Sequence, residues 1–194
     1  MALNLANKIT LLRILLIPIF MIFMFVDFSL GAVMLFNQAI PVHHLFGALI
    51  FILASATDWI DGYIARKYHL ITNLGKFLDP LADKILVTAA LIALVQMEAA
   101  PAWIVIVILS REFAVTGIRL IAAGEGDVIA ASNLAKWKTA SQIIAIAALL
   151  LYNIPFTLIS FPFGDVMLWI ALILTIWSGF DYFWKNRQLL LDSK

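Results

Sequence analysis

Apolar residues run through this chain in six long blocks, each near the ~20 residues a helix needs to cross a bilayer. The blocks cover residues 9–26, 44–65, 75–96, 102–122, 134–153 and 165–184. Short polar stretches separate them. The pattern predicts an all-α integral membrane protein, a six-transmembrane-helix bundle formed as a single domain over 1–194. No linker, repeat or low-complexity stretch divides it. The first block is long enough to span and lacks an A-x-A-like exit, so it is expected to remain as a span. The connection 27–43 reads as an outer loop, with Phe28, Leu30, Leu35 and Phe36 resting in the interface.

Composition removes the soluble alternative. The chain is 64% hydrophobic and only 13% charged, far from the makeup of a soluble domain. Cys is absent, which excludes a disulfide framework and thiol chemistry. The placement of charge says more than the net +1. All thirteen Lys and Arg fall at the start of the first block, around the second–third and fourth–fifth connections, or after the sixth block. None falls in 27–43, 97–101 or 154–164. The positive-inside rule makes the populated side cytoplasmic, with both termini inside. The expected location is a bacterial cell membrane, with the active site facing the cytoplasm, and no nucleic-acid partner is expected.

Four aspartates sit on that same side. Asp58 and Asp61 are three apart, and Asp79 and Asp83 are four apart, so each pair shares a helix face. Carboxylates at the ends of apolar helices are costly and mark function. Hard divalent cations are their natural partners, because Mg²⁺ and its relatives take carboxylate oxygens. Gly62 and Ala65 continue the Asp58/Asp61 face with almost no side chain, leaving a wall where a bulky group rests close to backbone. Arg66 adds a permanent cation whose fork suits phosphate. Gly75 opens the next helix beside the same place. Acids for metal, a bare wall and a guanidinium together point to a diphosphate substrate.

The full run is Asp58-x2-Asp61-Gly62-x2-Ala65-Arg66-x8-Gly75-x3-Asp79-x3-Asp83. It resembles the signature of the CDP-alcohol phosphotransferases, with every fixed position filled. Such a match arises by chance on the order of 10⁻⁹ per start position, at roughly one in fifteen per residue. The resemblance implies that family's six-helix membrane fold, a homodimer, and two divalent ions, Mg²⁺ or Mn²⁺. It also implies a short interfacial helix near 2–8. Asp58, Asp61 and Asp79 are then metal ligands. Asp83 is the base for the acceptor hydroxyl and touches the second metal. Thr57, Asp58, Asp61, Gly62, Ala65, Arg66, Gly75 and Asp79 form the donor site, although a helix-packing role for Thr57 is an equal alternative.

A second polar cluster lies further along. Arg111 and Arg119 are eight apart, a little over two turns, and so share roughly one face. Lys136 and Lys138 open the fifth block. Four cations in one inner corner attract a phosphomonoester. Glu112 beside Arg111 offers a plainer role for that pair, mutual neutralisation that fixes packing. Anchoring to anionic headgroups is the plainer role for Arg119 and Lys136. The stretches Ser110 to Arg119, Ala135 to Thr139 and Asn7 to Arg13 are similar to the phosphatidylglycerophosphate-forming branch of the family, with Ala6 and Ala135 standing where that branch usually has Pro and Gly. The branch resemblance implies CDP-diacylglycerol as donor and sn-glycerol 3-phosphate as acceptor, with Arg111, Arg119, Lys136 and Lys138 on the acceptor phosphate. The donor's lipid tails lie in the bilayer.

Other readings compete. A cardiolipin synthase or a phosphatidylinositol-phosphate synthase of this fold would use another acceptor. A cation transporter would spread acids across the membrane depth, whereas here they cluster on one side. A purely structural protein has no use for Arg66 with the whole acid run. His43 and His44 are read as outer interfacial residues and His69 as a turn residue. Trp169, Trp177, Tyr182 and Trp184 are read as belt or packing aromatics. Gly117, Ala114 and Ala131 are read as sites of close helix contact. Asp181 is expected to pair with a cation that the sequence does not name.

Overall fold

The computed structural model describes residues 5–36, 38–67, 73–124 and 133–187, without the side chains of 5–6, 59–67, 73–74, 76–77 and 133. Six α-helices coincide with the six apolar blocks: α1 (Leu5–Phe25), α2 (Val42–Lys67), α3 (Asn73–Gln96), α4 (Ala102–Gly124), α5 (Asn133–Leu150) and α6 (Phe163–Lys185). Their lengths follow from unbroken apolar runs punctuated by polar connections. The described part of the short helix expected near 2–8 is the first turn of α1, continuous with the rest of it.

The outer loop holds more structure than its polarity announced. Strands β1 (Ala32–Leu35) and β2 (Gln38–Pro41) pair antiparallel, Val33 opposite Ile40. Gly31, with φ of 73°, takes the left-handed turn that starts the hairpin. Its carbonyl accepts the Val42 N–H at 3.1 Å, which ties the hairpin to the first residue of α2. Ile40 is buried, while Val33 and Met34 stay exposed.

The helices form two groups. In one, α1 packs along α2 and α3; in the other, α6 packs along α5 and α4. Contacts of α2 with α5, and of α3 with α4 and α5, join them. The core alternates large and small side chains. Phe20 meets Phe51 with ring centres 6.1 Å apart, and Leu86, Leu91, Ile108, Ile146 and Leu168 fill the interior between buried alanines such as Ala48, Ala54 and Ala90. Small residues let backbones approach, which is how helices pack where lipid gives no hydrophobic drive. Gly47 shows the limit, since a Cβ there would run into Met24.

The outer surface is apolar. Leu15, Ile106, Leu120, Ile173, Trp177 and Phe180 are all more than half exposed. A coat of this kind belongs in lipid rather than water. Among the described residues, Asn7–Phe25 and Phe163–Lys185 are long and apolar enough to cross a membrane. Helices α2 to α5 carry the polar residues of the site, which lowers their mean hydropathy.

Candidate active site

Helix α1 carries a polar line along an otherwise apolar surface. Asn7, Thr10 and Arg13 recur every three residues and are all buried. Ile17, Phe20 and Met24 continue that face into the core. The polar line meets the aspartates of α2 and α3. Thr10 Oγ1 donates to Asp79 Oδ1 at 2.6 Å. Arg13 Nη1 donates to Asp58 Oδ1 at 2.6 Å. The Arg13 side chain is fully buried, whereas that of Asp58 is 44% exposed. The guanidinium is therefore a fixed internal counter-ion, and the carboxylate reaches open space. In the sequence Thr10 enters only through a resemblance, and Arg13 through that and the distribution of charge. The signal for their role was present in the spacing, because three polar residues on one face of an apolar helix must find partners.

Asp83 lies one turn beyond Asp79 on α3 and lines a small recess of about 60 Å³ with Lys84, Glu112, Lys138 and Gln142. Gly75 is buried near the start of α3. Asp61, Gly62, Ala65 and Arg66 belong to the last turns of α2, and their side chains lie outside the described residues, as does all of His69. The Thr57 hydroxyl donates to the Ala54 carbonyl of its own helix at 2.6 Å.

The four cations of the second cluster divide into two kinds. Arg111 donates to Glu112 Oε1 at 3.2 Å and to Ser178 Oγ at 3.0 Å. Gly179 leaves room for it, since a Cβ there would sit 3.0 Å from Arg111 Cγ. Lys138, buried on α5, donates to the same Glu112 oxygen. Glu112 thus holds one cation from its own helix and one from α5. Arg119 and Lys136 are exposed. All four line one open cavity of about 490 Å³, and Asp58 lines it too. Asp58 and the cationic corner are therefore two walls of one space, and the recess that holds Asp83 shares Lys84, Glu112 and Lys138 with it. Tyr182, expected among the belt aromatics, also lines this cavity.

Sequence comparison gives the family. The family model for CDP-alcohol phosphatidyltransferase matches residues 3–177. The chain belongs to the CDP-alcohol phosphatidyltransferase family. It is similar to the CDP-diacylglycerol–glycerol-3-phosphate 3-phosphatidyltransferase of Bacillus subtilis (strain 168), with 62% identity over 190 residues and 98% of both chains covered. Proteins of the same name from Rickettsia bellii and Haemophilus influenzae are 39% and 37% identical. The match to the first covers 93% of both chains, and the match to the second covers 100% of this chain and 98% of the relative.

Members of this family generally use divalent metal ions. Among the described residues no group of three acids closes into a metal site, the Asp61 side chain being outside them. The donor chemistry nevertheless fits. Asp58, Asp79 and Asp83 supply only hard oxygens, and Asp58 reaches open space from a rigid helix. Arg13 and Thr10 each engage a single Oδ1 of their aspartates.

Several lesser expectations resolve here. Asp181 pairs with Lys185 one turn later at 2.8 Å. His44 Nδ1 lies 2.6 Å from the Tyr152 hydroxyl, and His43 packs edge-on against His44. Both belong to the first turn of α2, the opposite end from the aspartates. Gly117 departs from its expected role, because nothing lies within 4 Å of where its Cβ would stand. Among the described residues it faces open space and makes no close helix contact. Ala131 lies outside the described residues.

Proposed function

We propose that this protein transfers the phosphatidyl group from CDP-diacylglycerol to sn-glycerol 3-phosphate, releasing CMP and forming phosphatidylglycerophosphate. The observation that carries the reading is the single cavity with Asp58 on one wall and Arg119 and Lys136 on another. A diphosphate donor and a phosphomonoester acceptor need such neighbours. The names of the similar proteins carry the same substrate pair.

The acceptor is held at its phosphate by Arg119 and Lys136. Arg111 and Lys138 add field from behind, their charge shared with Glu112. The acceptor hydroxyl gives its proton to an Asp83 carboxylate oxygen and attacks the donor β-phosphorus. The new O–P bond forms as the P–O bond to CMP breaks, and CMP takes the electron pair. Asp58, Asp61, Asp79 and Asp83 would hold two divalent ions, Mg²⁺ or Mn²⁺. When bound, such ions neutralise developing charge on the diphosphate. Gly62, Ala65 and Gly75 leave room for the nucleotide, and Arg66 steadies donor phosphate. In-line placement of the two substrates supplies much of the rest.

The six helices are read as six spans, with both termini and the cavity on the cytoplasmic side of a bacterial cell membrane. The one-sided distribution of all thirteen Lys and Arg supports this. The functional unit is read as a homodimer. The test is CMP release by purified protein in detergent with CDP-diacylglycerol and Mg²⁺. Glycerol 3-phosphate, inositol phosphate, serine and phosphatidylglycerol are compared as acceptors. Release with glycerol 3-phosphate alone, abolished by a chelator, is expected. Release with phosphatidylglycerol instead would move the chain to cardiolipin synthesis.

A further inference from the structure

One cation of the cavity has no place in the reading above. Lys84, on α3, follows Asp83 directly, belongs to no fixed position of the aspartate signature and is not among the four corner cations. It lines both the large cavity with Asp58, Arg119 and Lys136 and the small recess with Asp83. Its ammonium donates to the Thr116 hydroxyl of α4. That hydroxyl spends its own proton on the Glu112 carbonyl, at 2.7 Å, so a lone pair is left for the lysine. Among the described residues this is the only hydrogen bond Lys84 makes, and two N–H groups remain for a ligand. Thr116 and Arg119 are three residues apart and share a helix face. The ammonium is therefore held on the side of α4 that carries the phosphate-binding arginine, beside the carboxylate that takes the acceptor's proton.

We infer that Lys84 is an acceptor-binding residue: it bridges the phosphate site and Asp83 and holds glycerol 3-phosphate in the position to attack. The inference rests on the phosphatidyl-transfer reading. Thr116 acts through Lys84 and is a positioning residue. A flexible ammonium fixed at one N–H contacts an anionic or hydroxylated ligand with the other two.

Steady-state kinetics with each substrate varied separates this role from a structural one. Lys84→Met is expected to raise the KM for glycerol 3-phosphate by roughly ten- to a hundred-fold, the range of a charged hydrogen bond. The KM for CDP-diacylglycerol should stay at the wild-type value. Lys84→Arg should recover part of the loss, and Thr116→Val should raise the same KM by a smaller factor. These two variants keep the test alive if Lys84→Met does not fold. Titration calorimetry of detergent-purified protein with glycerol 3-phosphate should show the same order of affinities. An unchanged acceptor KM, or equal damage to both substrates' KM values, would overturn the inference. So would a lowered thermal midpoint with normal kinetics. Wild-type protein that released no CMP with glycerol 3-phosphate would instead defeat the functional reading, and the calorimetry would still decide whether Lys84 binds this phosphomonoester.

Discussion

The two walls of the cavity hold their charge in opposite ways. On the acid wall two carboxylates are held from another helix: Asp58 by Arg13 and Asp79 by Thr10, both from α1. Asp58 faces the open space and its counter-charge, Arg13, is buried. On the cationic wall the buried member is the organiser's grip: Glu112 fixes Lys138 and Arg111, while Arg119 and Lys136 remain exposed. Each wall therefore contains a structural charge and a working charge. The structural charge neutralises what lipid and protein would otherwise reject, and in the proposed reading the working charge is left for substrate. Residue type alone does not tell the two apart; burial and partners do.

Substitutions break this comparison in a graded order. Asp79→Asn should abolish turnover, a loss on the order of 10³-fold or more, because a ligand oxygen disappears. Hydrophobicity barely changes, so helical content by circular dichroism and membrane insertion should match wild type. Normal activity in that variant would refute the metal assignment. Arg13→Met comes next. It removes the partner of Asp58 but leaves that carboxylate partly in water, so the stability loss should be about 1–3 kcal/mol. Its thermal midpoint should fall, and activity should fall about a hundred-fold as Asp58 loses its orientation. A variant with wild-type activity would show that α1 does not organise the acids.

Lys138→Met should separate the two kinds of cation. It strands Glu112 with one partner, so it should lower the thermal midpoint more than it raises the acceptor KM. The reverse pattern would place Lys138 among the exposed binders. Gly179→Ala should have the smallest effect. The added methyl crowds Arg111, whose flexible stem shifts by a few tenths of an ångström, and the acceptor KM should rise only two- to three-fold, roughly 0.5 kcal/mol. A large loss there would mean that Arg111 itself touches the acceptor.

What the sequence disclosed followed physical range. The helices were legible because each follows a long apolar run bounded by polar connections. The aspartate run was legible because its spacings are local. The pairings were not. Arg13 meets Asp58 across 45 residues, Thr10 meets Asp79 across 69, and Lys138 meets Glu112 across 26. No periodicity within one helix specifies which neighbour it faces. The hairpin was missed for another reason. Its strands are four residues each, and Val33 and Met34 are both exposed, so the alternation that announces a half-buried strand is lacking. Tyr182 was read as a belt aromatic because its position near the helix end fits that role; only packing of α6 on α4 turns it toward the cavity.

The most direct test of the two-walled cavity is the kinetics of Lys136→Ala with donor and acceptor varied in turn. Lys136 is exposed, lines the space that Asp58 also lines, and is expected to contribute only to substrate. The account predicts a KM for glycerol 3-phosphate raised by roughly ten-fold or more, with the KM for CDP-diacylglycerol and the thermal midpoint unchanged. A variant that lost donor affinity and kept its acceptor KM would exchange the two walls and contradict the account.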